Sequence, residues 1–497
     1  MKSWRIDPWL LFLILAGAVL LLTGLGNGRL WQDEAETAVL AKNVLRFGYP
    51  RAFDGVNRLN PGLPVGPGDC WTYHTWGSFY WAALSFLLLG AGTMSARLPF
   101  ALLGLAAVPL AYRAARRMTA SVSLARWTAA LLLLSVPFLL HMRQCRYYAP
   151  STLFSLWAVS AYWRLLSKGR RAVAELAAAL IVLFHFNQGL FLPTAAAIGI
   201  HGLFLRDRAI RSSLLQAACW VAPLTLPFLW LLQAWQHHSA FSWREIRHHA
   251  EFYFRQINHY VFPVTFWLLL LPFWRPNRAR LFGPPGGPVR AAARFTFLYM
   301  AIQLLFFIFG PAQRHFRYLI HLLPFFFLLQ AIFLRDLIRH RRKLGLCALL
   351  LMTFTDLHYT LRPRCLQAEF LGELCRRYKG PVDGIVELLN REGKPGETVK
   401  TPYDDHAILF YTPLRIEPIP KPEDFLRPTT PEWIIPRRDW TPEKFYRSGY
   451  LSLIRSRYRQ ITLDAPDIPW QNRPDPGYHR FRTDRQAPPV VVYRRLD

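Results

Sequence analysis

The run WLLFLILAGAVLLLTGL, Trp9 to Leu25, is followed along the chain by a series of further apolar runs of similar length. Each approaches the roughly 17–25 residues that a helix needs to cross a bilayer. In lipid the backbone N–H and C=O groups must be satisfied within the segment, so such runs fold as helices rather than open sheets. Of all residues 52% are hydrophobic, and they gather in these runs instead of spreading at the spacing of a soluble core. The expected fold is a polytopic α-helical membrane protein with a small soluble α/β domain at its C-terminal end.

Charge decides how such runs thread. The chain carries 60 Lys and Arg against 31 Asp and Glu, a net charge of +29. A balance this basic also occurs in nucleic-acid-binding chains. Here, however, the arginine clusters fall between apolar runs, where cytoplasmic loops accumulate them. Membrane lipids are therefore the expected partner, and nucleic acid is not. The clusters are Arg113–Arg126, Arg164–Arg171, Arg206–Arg211, Arg275–Arg290 and Arg335–Lys343. All can be cytoplasmic with spans near 9–27, 97–112, 127–141, 148–165, 174–189, 190–205, 214–234, 259–274, 295–311, 318–334 and 344–359. That makes about eleven crossings and an external C-terminus. The run Trp76 to Gly90 would make a twelfth and would move Arg113–Arg126 outside, so an outer-leaflet or re-entrant helix is expected there. Lys2 and Arg5 before the first run fit a retained signal anchor.

Two regions follow from this threading. Residues 1–364 form the membrane module, with a first external loop over 28–96. Residues 365–497 form the external domain, with strand-like runs WII (433–435) and VVVY (490–493) and a helix VDGIVELLNREG ending at Gly393. Six cysteines without a CxxC pair argue against a zinc or redox site. Cys365 and Cys375 either pair in an oxidising compartment or stand as free thiols.

Against the basic background, LWQDEAETAVLAKN (30–43) places Asp33, Glu34 and Glu36 just past the first apolar run. Residues 34–45 are expected to form a helix with Ala35, Ala38, Val39 and Leu45 on one face. Asp33 at its start can cap backbone N–H groups. Capping does not explain the other two acids, nor their position beside lipid phosphates. The chemical readings are a general base, a metal ligand, or both.

DEAETAVLAKNVLRFGYP resembles the first external loop of family 39 and 83 glycosyltransferases, of the membrane-embedded class called GT-C. Protein O-mannosyltransferases and lipid A aminoarabinose transferases belong there. YHTWGSFYWAALSFLLLGAGTMSARLPFALLGL (73–105), AYRAARRM, SVPFLLHMRQCRYYAP and HFRYLIHLLPFFFLL (315–329) are similar to later parts of the same pattern, in order. The resemblance covers about residues 9–335. It implies an inverting transferase in a bacterial inner membrane, with its C-terminal domain periplasmic. The donor would be a polyprenyl-phosphate sugar and the acceptor a lipid, glycan or protein of the cell envelope. Asp33 matches the family's catalytic aspartate and Glu34 the second acid of the pair. A lipid-phosphate leaving group needs cations and hydrogen-bond donors. The candidates are Arg97, Arg143, Arg146, Arg314 and Arg317 with Tyr147, Tyr148 and Tyr318. Snorkelling at span ends is the competing explanation for any one arginine.

The chain departs from the family pattern at His74-Thr75, where a basic residue is common, and at Ala149-Pro150, where an aspartate is common. No cofactor is required by these motifs. A divalent ion, if bound, would take Glu34, His74 or His249, although the His-rich stretch around 237–259 also suits a solvated interfacial loop. TPYDDHAILFYT (401–412) and the aromatic-rich LDAPDIPWQNRPDPGYHRFRT (463–483) are weaker candidates for acceptor contact. A transporter of lipid-linked sugars is the alternative. It would call for mid-span charges and paired halves, which the sequence does not display.

Overall fold

The computed structural model describes residues 7–168, 172–232, 242–274, 278–310, 313–355, 364–376, 379–447, 449–468, 473–482 and 486–496. It divides into two compact units, Met1–Thr23 with Phe100–Leu374 and Gly24–Pro99 with Cys375–Asp497. Helices are numbered in chain order.

The first unit is all helical. It contains α1 (Pro8–Leu22), most of α4 (Thr93–Thr119), α5 (Val122–Leu134), α6 (Val136–Met142), α7 (Tyr148–Lys168), α8 (Val173–Phe186) and α9 (Gln188–Phe204). It continues with α10 (Arg208–Leu231), α11 (Trp243–Tyr260), α12 (Val264–Trp274), α13 (Arg278–Phe282), α14 (Pro288–Phe309), α15 (Leu323–His340), α16 (Arg342–Phe354) and α17 (Leu366–Cys375). Helices α7 and α8, α5 and α15, α8 and α10, and α9 and α14 pack in pairs. Asp7 caps α1 through the Trp9 N–H and is held by Arg126, at 2.9 Å from both carboxylate oxygens. That guanidinium pulls the Asp7 carboxyl down to about 2.

Over the described residues every expected span overlaps helical segments, those at 127–141, 259–274 and 318–334 crossing from one segment to the next, and the helices are shorter or more broken than the apolar runs. Among the described residues four helices are long and apolar enough to cross a membrane, or six if each bent pair is one span. The bent pairs are α5 with α6, at 69°, and α11 with α12, at 60°. Ser135 makes the first break because it closes α5 and caps α6 through the Phe138 N–H, and Pro137 follows in the new first turn. Helices α1, α8 and α9 have 15, 14 and 17 residues. The expected count of about eleven therefore exceeds what length and composition alone establish.

The second unit combines the first external loop with the C-terminal region. It differs from the expected division at 364, which kept the loop with the membrane module. The loop contributes α2 (Gln32–Phe47) and α3 (Gly77–Leu89). The C-terminal region contributes α18 (Pro381–Glu392), α19 (Asp405–Tyr411), α20 (Glu443–Arg447) and α21 (Gly449–Arg457). Its sheet has strands β1 (Thr398–Lys400), β2 (Arg415–Ile416), β3 (Trp433–Ile434), β4 (Tyr458–Pro466) and β5 (Pro489–Arg495), in the order β2-β1-β3-β5-β4. β1 runs parallel to β2 and β3, and β5 is antiparallel to β3 and β4. The core under the sheet is Ile385, Leu389, Val399, Ile408, Trp433, Val490 and Val492. The expected strands 433–435 and 490–493 and the helix ending at Gly393 are all present.

Hydrogen bonds sew the loop to the domain. Asn57 donates to the Leu414 carbonyl at 3.1 Å and accepts from the Ile416 N–H at 2.8 Å. Lys42 donates to the Phe410 carbonyl at 2.7 Å. The Arg29 N–H reaches Asp383, and the Leu30 N–H reaches the Tyr411 hydroxyl. Burial pushes that phenol up to about 12. Helix α2 is consequently enclosed on more than one face. Ala35, Ala38 and Val39 are buried as expected, but so are Leu40, Ala41 and Val44, while Leu45 is 46% exposed. The one-face expectation missed this because α2 packs against both α3 and α19. None of the six cysteines, all of them described, is in a disulfide, Cys365 and Cys375 included.

Candidate active site

In the second unit the two adjacent acids at the start of α2 have different fates. Trp31, in extended conformation, is the N-cap, and its N–H donates to Glu34 Oε2 at 3.4 Å. Glu34, three residues into the helix, is 0% exposed. Arg97, also buried, grips it from Nε at 2.9 Å and from Nη2 at 2.7 Å. Arg97 Nη1 spans the carbonyls of Leu25, Asn27 and Gly28, and Nη2 also reaches that of Arg29. The guanidinium fork is thus saturated. Arg97 was a sequence candidate for the donor phosphate. In this structure its fork fastens α2 to the turn before it.

Asp33 is half-buried and is not the cap. The capping role considered for it is taken by the Glu34 side chain, which bonds back to the N-cap. The negative charge of Asp33 is close enough to raise the Tyr403 phenol, after burial and with Asp405. Tyr403 stacks face to face on Trp440, with ring centroids 4.6 Å apart. Beside it Arg437 is buried between Asp404 and Asp467. Asp404 holds a left-handed φ of 66°, a region non-glycine residues rarely occupy and one that aspartate tolerates best. The charges of Arg437 and Arg473 both act on Tyr403. Sequence reasoning noticed Asp404 through Asp405-His406 but not Tyr403, Arg437 or Trp440. Arg437 and Trp440 meet Asp404 and Tyr403 only through folding of the C-terminal region, and Asp33 acts on Tyr403 from several hundred residues away.

In the first unit the turn between α6 and α7 carries Arg143, Arg146 and Tyr147, and both arginines are buried. Arg143 donates to the Leu20 carbonyl at 2.8 Å and lies over the Phe370 ring. Arg146 lies over the ring of Tyr147, 5.5 Å from its centroid. A cavity of about 160 Å³ is lined by Tyr147, Tyr148, Ser151, Asn187, Phe307, Arg317, Tyr318 and His321, among others. Four of the sequence candidates, Tyr147, Tyr148, Arg317 and Tyr318, therefore meet at one cavity, and Arg143 does not line it. Arg314 is exposed. Asn187, Ser151 and His321 were missed. Asn187 donates to Ser151 at 3.1 Å and caps α9 through its own side-chain carbonyl oxygen. His321 is 1% exposed and contacts Gln303 at 3.1 Å.

Among the described residues no group of three or more His, Cys, Asp or Glu could hold a metal ion. Glu34 is committed to Arg97, and His74 lies 3.9 Å from Glu36 instead. His249 contacts the Ile308 carbonyl, while Glu251 pairs with Arg247 and Arg255. His237, His238 and Trp470 lie outside the described residues.

No protein-family model and no curated protein matches the chain. Solved structures do. ArnT from Cupriavidus metallidurans, bound to undecaprenyl phosphate, matches at a TM-score of 0.59 and 14% identity over 98% of each chain. Its apo form matches at 0.60, also over 98% of each chain. The arabinofuranosyltransferase AftD from Mycobacteria matches at 0.51 and 13% identity, over 99% of this chain and 42% of that one. The chain thus has the ArnT fold, a multi-pass helical membrane protein carrying a C-terminal mixed-sheet domain.

Proposed function

We propose that the protein is an inverting glycosyltransferase of the external membrane face. It moves a sugar from a polyprenyl-phosphate donor to an acceptor hydroxyl or amine, with Asp33 as general base. The observation that carries this reading is the division of labour between neighbouring acids. Glu34 is buried and occupied by Arg97, while Asp33, one residue before it, is half-buried and relieved of capping. A half-buried carboxylate on a clamped helix end is suited to take a proton from an acceptor. ArnT was solved with undecaprenyl phosphate bound, which fits a lipid-phosphate leaving group here.

Each of the candidate residues then has a task. The acceptor proton passes to the Asp33 carboxylate as the acceptor attacks the anomeric carbon. The bond to the lipid phosphate breaks on the opposite face, so the configuration inverts and no sugar–enzyme bond forms. Charge grows on the departing phosphate. Within the first unit, Arg317, Tyr147, Tyr148 and Tyr318 line one cavity and are the candidates for the cation and hydroxyl donors that such charge needs. The eleven-span threading belongs to the same reading, with the second unit outside a bacterial inner membrane.

The test is transfer by purified protein from polyprenyl-phosphate sugars. Asp33→Asn should lower kcat by roughly 10²–10⁴-fold, the usual contribution of a positioned base. Undiminished transfer by that variant would overturn the assignment. Arg317→Ala should instead weaken donor use about tenfold or more, through loss of a charge-assisted hydrogen bond of about 1.5–3 kcal/mol. Unchanged donor KM and kcat would remove Arg317 from the phosphate site.

A further inference from the structure

Glu36 is buried to 6% exposure, yet neither the base nor the clamp uses it. Its Oε2 accepts from Asn60 Nδ2 at 2.8 Å. Asn60, held at a left-handed φ of 45°, then presents its Oδ1 to His406 Nε2 at 3.0 Å. His406 is 2% exposed, and its Nδ1 lies 3.3 Å from the Gln32 carbonyl oxygen. That carbonyl belongs to the peptide plane that leads into Asp33. On the same turn Gln32 Nε2 donates to Asp405 Oδ1 at 2.6 Å.

The hydrogen-bond directions follow from the chemistry of the partners. A carboxylate only accepts, so the Asn60 amide nitrogen must face Glu36 and its oxygen must face His406. A peptide carbonyl also only accepts. Both ring nitrogens of His406 therefore face acceptor oxygens, Asn60 Oδ1 and the Gln32 carbonyl. The Asp405 carboxylate lies 3.5 Å from His406 Nε2.

We propose that Glu36, Asn60 and His406 form a positioning relay. It holds the Gln32–Asp33 peptide plane and so aims the Asp33 carboxylate. Glu36 acts in it as a hydrogen-bond acceptor, not as an acid, a base or a metal ligand. This inference rests on the reading of Asp33 as the base.

The experiment measures kcat and KM for a polyprenyl-phosphate sugar with the full-length protein in detergent or bilayer, alongside its melting curve. Glu36→Gln keeps an acceptor oxygen for Asn60 and should stay within about twofold of wild type. Glu36→Ala, Asn60→Ala and His406→Ala should each lose about tenfold to a hundredfold in kcat, as expected when a reacting group is misplaced, with donor KM unchanged. The double variant Asn60→Ala/His406→Ala should be no slower than His406→Ala alone, because the two act in series. Wild-type kcat in Asn60→Ala and His406→Ala overturns the relay, as does a loss that only follows the unfolded fraction. Loss in Glu36→Gln as large as in Asp33→Asn overturns it too, by making Glu36 catalytic. Full activity in Asp33→Asn defeats the reading of the base itself. An inactive Asp33→Asn beside fully active relay variants defeats the relay alone.

Discussion

Asp33 and Glu34 show how two neighbours of the same charge come to do different work. Glu34 lies fully inside, and its charge is tolerated because Arg97 meets it with two bonds while carbonyls take the other donors. Removing one partner of such a pair leaves a buried charge uncompensated, at a cost of about 3–5 kcal/mol. Glu34→Gln should therefore lower the melting temperature markedly, read by a thermal melt of the purified protein, whereas Asp33→Asn, at a half-buried position, should lower it less. Equal melting of the two variants would contradict this division. Only half of the arrangement was legible in the sequence. The Asp-Glu pair and its place after the first run were readable. The partner of Glu34 was not, because Arg97 stands 63 positions away and an arginine near a membrane surface is as readily read as a phosphate ligand. Leu45 was misjudged for a related reason: a helical face can be read from spacing, but a second packing partner cannot.

At the scale of elements, spacing and composition carry further. Every expected span overlaps helical segments over the described residues, and the C-terminal strands and the helix ending at Gly393 lie where alternation and capping put them. What the pattern hides is where an apolar run breaks, since Ser135 interrupts the run between α5 and α6 without interrupting its hydrophobicity. One boundary, expected at residue 45, falls later, at Phe47. Gly48 closes α2 with a left-handed φ of 81°, and the space that a β-carbon would take there is open to 4 Å. A side chain at this position meets no steric wall, so the whole penalty is conformational, about 1–2 kcal/mol. Gly48→Ala should lower the melting temperature by a few degrees and leave donor KM untouched. A stability equal to wild type would show that the end of α2 relaxes away from this cap.

For the whole molecule the open quantity is which way the chain is threaded, and α3 decides it. One side of α3 is buried through Phe79, Ala82, Ala83 and Phe86, against α2. The other exposes Tyr80, Leu84, Leu87 and Leu88, with Leu87 and Leu88 at 69% and 72%. Thirteen residues rise only about 20 Å, short of a hydrocarbon core of about 30 Å. A short helix with one packed face and one apolar face fits the outer leaflet better than a crossing. If α3 does not cross, α4 carries the chain inward. The basic residues Arg113, Arg116, Arg117 and Arg126 then lie in the cytoplasm, as the positive-inside rule requires. Ala120 is the place to test this, since it stands between α4 and α5 with φ of 53° and is exposed. A topology reporter joined after Ala120 should report from the cytoplasm, and one joined after Gly90 from outside. An external signal at Ala120 would make α3 a true span and invert every later crossing.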